Sequence, residues 1–221
     1  MSTASNERKV PIVGRGENLG VLGRAAFENF YAGAAPWDIG GPQGPFAAVA
    51  GRVTSPVLDA GCGTGEHALF FAARGHRVVG IDFVEEAIRR ARDKAAVRGL
   101  AVEFLVKDAT TLGDWGEQFA SVIDCGLFHV LSDDDRRRYV EGLARVVEQG
   151  GRLFLMCFSD EEPGTEGPRR VSRQELYDVF ADDWQVESIQ PARVEVNPEF
   201  TEITFSEGGP KAWFAVVRRQ G

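Results

Sequence analysis

Four acids, one glycine loop and one histidine carry the chemistry that this sequence can support. The run Pro56-Val57-Leu58-Asp59-Ala60-Gly61-Cys62-Gly63-Thr64-Gly65 ends an apolar strand in an acid and then places glycine at every second position. Such a loop lets backbone approach a bound molecule where any Cβ would collide. The helical pattern that begins near Glu66 offers unpaired N–H groups to a carboxylate or phosphate. Asp82 closes a second strand, Val78-Val79-Gly80-Ile81. A carboxylate at the C-terminal edge of such a strand can accept both hydroxyls of a ribose, in any cofactor that carries one. Phe83 follows, placed either to pack on an adenine face or to join the core. Asp108, in Lys107-Asp108-Ala109-Thr110-Thr111, is placed to face a ligand or to cap a turn. Ile123-Asp124-Cys125-Gly126-Leu127-Phe128-His129 ends a fourth strand at the crevice, where Asp124 serves either structure or function. Cys125 reads as a small core residue with no nucleophilic role. His129 has two readings. It is a general base for a phenol, hydroxyl, ring N–H or thiol, or a hydrogen-bonded histidine packing Leu131.

The elements that hold these residues follow from periodicity. Strands are expected near 55–60, 77–81, 101–106, 120–125 and 151–158, with helices at 66–74, 85–98 and 134–148. Strand–helix alternation with buried β-branched strands makes an α/β fold with a doubly wound parallel sheet. The C-terminal part breaks the rhythm. A helix at 172–180 precedes strand-like segments at 184–196 and 212–218, joined by a loop with Asn197-Pro198 and Gly208-Gly209-Pro210. Strands joined without a crossover helix pair antiparallel. Upstream, residues 24–31 suit a short helix with Phe27, Phe30 and Tyr31 on one face. The stretch Ala35-Pro36-Trp37-Asp38-Ile39-Gly40-Gly41-Pro42-Gln43 is too rich in Pro and Gly for helix or strand. Residues 1–20 read as a disordered tail, and 21–221 as one domain without internal repeat.

The acid and glycine loop resemble the first motif of the class I S-adenosylmethionine-dependent methyltransferases. Pro36-Trp37-Asp38-Ile39-Gly40, Cys125-Gly126-Leu127-Phe128-His129 and Ile189-Gln190-Pro191-Ala192-Arg193 resemble the thiopurine-methyltransferase-like group, and more narrowly the actinobacterial heterocyclic toxin methyltransferases. The resemblance runs from about Phe27 almost to the end and leaves the N-terminal tail unmatched. It implies a seven-stranded sheet whose last strand lies between the two before it. It also implies S-adenosylmethionine as cofactor, with S-adenosylhomocysteine as product. Asp59, Gly61 and Gly63 would then hold the methionine half, and Asp82 and Phe83 the ribose and adenine. Asp108 and the Ala109 N–H would meet the adenine edge, and the backbone of Asp124 and Cys125 the ammonium. Trp37 and Ile39, in an N-terminal lid at 24–45, would cover the cofactor, against a plain core role for Trp37. His129 is the candidate catalytic residue. The acceptor expected is a small aromatic heterocycle or phenol, methylated on N, O or S.

Bulk properties narrow the field. The chain has 221 residues, 43% of them apolar, enough for one α/β domain with a sizeable core. A net charge of −8 without a long basic run argues against nucleic-acid or anionic-membrane partners. Arg136-Arg137-Arg138 follows Asp133-Asp134-Asp135, the order expected at a solvated helix start. Cys62, Cys125 and Cys157 form no C-x-x-C pair, which suits a reducing cytoplasm, and the three histidines have no metal-binding spacing. Three rival readings stand. A dinucleotide-binding oxidoreductase would carry G-x-G-x-x-G, not G-x-G-x-G, and an acid before that loop repels a pyrophosphate. A catalytically silent subunit would keep the fold without the chemistry. A macromolecular methyltransferase would need a basic or extended docking surface.

Overall fold

The computed structural model describes residues 24–33, 35–201 and 203–221, so the expected tail at 1–20 lies outside the described residues. Strand β1 (Val57–Ala60) is buried at all four positions, as a central strand covered on both faces must be. Around it stand β2 (Val78–Asp82), β3 (Glu103–Val106), β4 (Phe119–Cys125), β5 (Val147–Phe158), β6 (Trp184–Arg193) and β7 (Lys211–Arg219). Their order is β3-β2-β1-β4-β5-β7-β6. The first five strands pair parallel, while β7 runs antiparallel to both β5 and β6. This is the seven-stranded sheet with an inserted last strand that the resemblance implied.

Helices cover both faces. On one side α2 (Gly44–Ala48), α3 (Glu66–Ala72) and α4 (Glu85–Arg98) pack Phe46, Leu69, Phe71 and Ile88 against Val57, Ile123 and Phe154. On the other, α5 (Asp133–Val146) and α6 (Arg173–Val179) bury Tyr139, Leu143 and Leu176 against Leu58, Ile81 and Leu155. Each large side chain so buried contributes about 1.5–3 kcal/mol. Helix starts follow the sequence: the Ser132 hydroxyl accepts from the Asp135 N–H, and Ser172 and Glu175 close a capping box. A short α1 (Arg24–Ala32) precedes the sheet as expected.

Three features depart from expectation. Strand β5 starts at Val147 rather than 151, because the register slips between Phe119 and Ser121 and Gly150 takes up the kink at φ 80°. Helix α2, five residues long, arises where no periodicity could announce it, with proline in its first turn and Phe46 fully buried. Within Arg136-Arg137-Arg138, only Arg137 and Arg138 are solvated, each paired with an acid one turn earlier. Arg136 is buried with its guanidinium 4.4 Å from the Phe128 ring centroid. The α5 helix turns that position inward, which a count of charges does not reveal.

Candidate active site

The strand order places the C-terminal ends of β1, β2 and β4 side by side, and the sequence reverses direction between β1 and β4. Ligands of open α/β sheets bind at that switch point. The glycine loop rises from β1 there. Gly63 adopts φ 54°, and a Cβ on it would lie 2.7 Å from the Tyr31 hydroxyl and 3.8 Å from the Trp37 indole nitrogen. Gly65 has a different reason to be glycine: a Cβ there would strike the Phe104 ring at 2.7 Å and Ala91 at 3.0 Å. Gly63 lets the Tyr31 hydroxyl pack onto the loop, and Gly65 lets the loop and α4 close on β3.

Asp82 organises the loop. Its Oδ2 accepts the Gly63 N–H at 3.0 Å and its Oδ1 the Val84 N–H at 2.9 Å. Asp59 is 1% exposed and its Oδ2 accepts the Ala68 N–H at 2.9 Å, so the acid before the loop fixes the start of α3. Burial pushes the Asp59 carboxyl up to about 7, and the nearby Asp124 and Asp82 add to the rise. Next to Asp82, Phe83 is half-buried and meets Phe27 edge-on at 5.5 Å.

The N-terminal segment lies over this loop. Phe27, Phe30 and Tyr31 surround Trp37 with ring centroids 6.0, 5.2 and 5.8 Å away, and the Trp37 indole N–H donates to the Tyr31 hydroxyl at 3.1 Å. Trp37 remains 37% exposed, so it is no core residue. Ile39 is half-buried beside it. Asp38 accepts the Thr64 hydroxyl at 2.9 Å and pairs with Lys94 of α4 at 3.2 Å. Lys94 also donates to Thr64 and Glu66, tying segment, loop and both helices to one ammonium group.

The other expected positions each have contacts within the fold. Asp108 is exposed and its Oδ1 accepts both the N–H and the hydroxyl of Thr110 at 2.8 Å, so it caps the 3-10 turn Ala109–Asp114. Ala109 is buried in the core against α5. Asp124 is fully buried, and its Oδ1 accepts the N–H groups of Leu127 and Phe128 at 2.9 and 3.2 Å. Its side chain therefore builds the turn after β4, beside Tyr139. Burial holds it up at about 7. Cys125 is half-buried and burial raises its thiol well above the usual range.

His129 lies just beyond that turn. It is 6% exposed, packs edge-on against Phe158 at 5.0 Å, and its Nδ1 accepts the Phe158 N–H at 2.8 Å. An imidazole whose Nδ1 accepts carries its proton on Nε2, so it has no lone pair for a substrate proton. Burial, with Arg170 and Arg136 nearby, lowers it to about 3. The hydrogen-bonded alternative is the one this geometry supports. Sequence reasoning had no means to see Phe158 arriving from β5. It also passed over Tyr31 and Lys94 as contributors to the site, because a tyrosine on a helix face and a lysine in a charged helix have no spacing that singles them out.

A methyltransferase-domain family model matches residues 57–151, the span that holds the glycine loop, Asp82 and β4. The 2-heptyl-1-hydroxyquinolin-4(1H)-one methyltransferase of Mycobacteroides abscessus is 35% identical over 88% of this chain and 89% of its own length. The chain belongs to the class I S-adenosylmethionine-dependent methyltransferases. A solved structure from work on the conversion of a disulfide bond into a thioacetal group during echinomycin biosynthesis has a TM-score of 0.77 at 36% identity. The alignment covers 89% of this chain and 92% of that one. The fold is shared with a 1,6-didemethyltoxoflavin-N1-methyltransferase of Burkholderia thailandensis bound to S-adenosylhomocysteine, at TM-score 0.59 and 24% identity over 75% of this chain and 71% of that one. S-adenosylmethionine is the methyltransferase's cofactor, and the bare backbone of the Gly61–Gly63 loop beside the Asp82 carboxylate, at the ends of β1 and β2, fits it.

The His129 geometry has a direct spectroscopic consequence. Its imidazole resonances should stay those of a neutral Nε2–H ring between pH 8 and pH 5 in NMR of the folded protein. A midpoint near 6.5, the ordinary histidine value, would show that the Phe158 bond does not hold the ring.

Proposed function

We propose that this methyltransferase transfers a methyl group to N, O or S of a small aromatic heterocyclic acceptor, held where the ends of β4 and β5 meet the N-terminal lid. The observation that carries the reading is the 35% identity, over nearly the full length of both chains, to an enzyme whose named acceptor is a hydroxyquinolone. The net charge of −8 supports a small molecule over a nucleic acid.

Bound S-adenosylmethionine supplies a methyl group already activated on a sulfonium. What remains for the protein is to bind, orient and exclude water. Gly61 and Gly63 provide close backbone approach for the methionine half, Asp82 receives the ribose hydroxyls, and Phe83 lies along the base. The Ala109 N–H and the backbone around Asp124 and Cys125 complete the cradle, while Asp59 supports it from beneath through α3. Trp37 and Ile39 cover it. Alignment of acceptor and donor of this kind is worth as much as about 7–11 kcal/mol. His129 places the turn after β4 rather than taking a proton. The acceptor is accordingly one that ionises by itself near neutral pH, or that loses its proton after transfer. A silent subunit would keep the fold but bind no cofactor.

Incubation with methyl-labelled cofactor and a panel of heterocycles, phenols and thiols tests this reading. Label should appear on ring-bearing acceptors, with a rate that rises with pH through each acceptor's own pKa, and His129→Asn should slow turnover only a few-fold. A shared limb at one pH for all acceptors, removed by His129→Asn with a loss of about 10²-fold or more, would restore a general base. Asp82→Asn should weaken cofactor binding by about 1.5–3 kcal/mol in calorimetry with the thermal unfolding still cooperative. Unchanged affinity would remove Asp82 from the ribose site.

A further inference from the structure

The backbone carbonyls of Pro36 and Asp38, the residues on either side of Trp37, are held from the far end of the sheet. Asn197, in the β6–β7 connection, donates its backbone N–H to the Pro36 carbonyl at 2.8 Å and its side-chain NH₂ to the Asp38 carbonyl at 3.2 Å. The orientation of that amide is fixed, since its Oδ1 accepts the Glu199 N–H at 3.0 Å. A few residues away, Gln43 is 2% exposed and pairs twice with the backbone of Glu195. Its Nε2 donates to the carbonyl and its Oε1 accepts the N–H, both at 2.8 Å. The Gln43 side chain thus acts as one rung of a ladder, extending β6 by joining it to the lid.

The β6–β7 connection is itself anchored. Glu162, 3% exposed in the loop after β5, accepts the Ser206 N–H at 3.0 Å through Oε1 and the Lys211 N–H at 2.8 Å through Oε2. Phe205 of the same connection packs edge-on against Phe158, the residue whose N–H holds His129. A continuous series of contacts therefore runs from the ends of β4 and β5, through the β6–β7 connection, to Trp37 and the glycine loop beneath it.

We propose that Asn197 is a positioning residue for the cofactor: it sets Trp37 over Gly63, assisted by Gln43, so that cofactor affinity is governed by the β6–β7 connection. The proposal rests on the reading that Trp37 covers the cofactor. Because binding couplings are reciprocal, an acceptor that steadies the β6–β7 connection also tightens cofactor binding at equilibrium. The lid is then sensitive to the acceptor without touching the reacting atoms.

A double-mutant cycle on the full chain tests this, read as the dissociation constant of S-adenosylhomocysteine by calorimetry. Wild-type protein must bind first, and failure there would overturn the cofactor assignment of the cleft rather than the role of Asn197. Asn197→Asp keeps the shape but turns an acceptor toward the Asp38 carbonyl. It should weaken binding about tenfold in the wild-type background and leave it unchanged in a Trp37→Ala background. Asn197→Ala, which keeps the backbone bond to Pro36, should act in the same direction by a smaller factor and serves if the Asp variant does not fold. Unchanged affinity in both Asn197 variants would overturn the proposal. So would an equal loss in the Trp37→Ala background, which marks a general loss of structure, or wild-type affinity in Trp37→Ala itself.

Discussion

One carboxylate organises the cleft. Asp82 ends β2 and accepts N–H groups from Gly63 and from Val84, joining the glycine loop after β1 to the turn that starts α4. Charge-assisted bonds of this type are about twice as strong as neutral ones. The loop needs such a tether because Gly61, Gly63 and Gly65 all sit at positive φ, where a glycine-rich chain in isolation would sample many states. With the loop fixed, the α3 N-terminus, held by Asp59, and the Trp37 cover acquire defined positions relative to the sheet.

Buried ionisable groups around this cleft divide into two opposing sets. Asp59 and Asp124 are held up at about 7, so between the unfolded carboxylate value and 7 the folded state binds the extra protons, and their contribution to stability falls as pH rises. His129 and His67 are lowered to about 3 and about 4, so between those values and the unfolded histidine value the unfolded state binds the extra protons. Their contribution falls as pH drops. Across mildly acidic pH the two sets oppose one another and flatten the dependence of stability on pH. On the exposed side, Lys94 links Asp38, Thr64 and Glu66, a network of several charges whose members support each other more than isolated surface pairs do.

Much of the fold was legible in local pattern. The apolar strands, the left-handed glycines and the serine caps are dictated by neighbours in sequence, so β1, β2, α4 and the capped starts of α5 and α6 fall where periodicity put them. The antiparallel pairing of β6 with β7 followed from their connection, while the place of β7 between β5 and β6 came from the family resemblance. Asp82 was singled out by its position at a strand end, but its bonds to the Gly63 and Val84 N–H groups were not visible in the sequence. Asp108, Asp124 and His129 were not settled, since each sits at a crevice edge where capping, turn building and ligand contact use the same residue types. What each holds in the fold is visible only in three dimensions: the Thr110 N–H for Asp108, the Leu127 and Phe128 N–H groups for Asp124, and the Phe158 N–H for His129. Contacts between distant segments, such as Asn197 with Pro36 and Asp38 or Gln43 with Glu195, have no signature along the chain.

The most direct measurement is a crystal structure of the full chain with S-adenosylhomocysteine. The expected result has the ligand between the Gly61–Gly63 backbone and the Trp37 indole, the ribose on Asp82, and the sulfur facing the space at the end of β4. A ligand bound elsewhere, or a sulfur turned away from β4 with Trp37 displaced from Gly63, would contradict the assignment of this cleft as the site of methyl transfer.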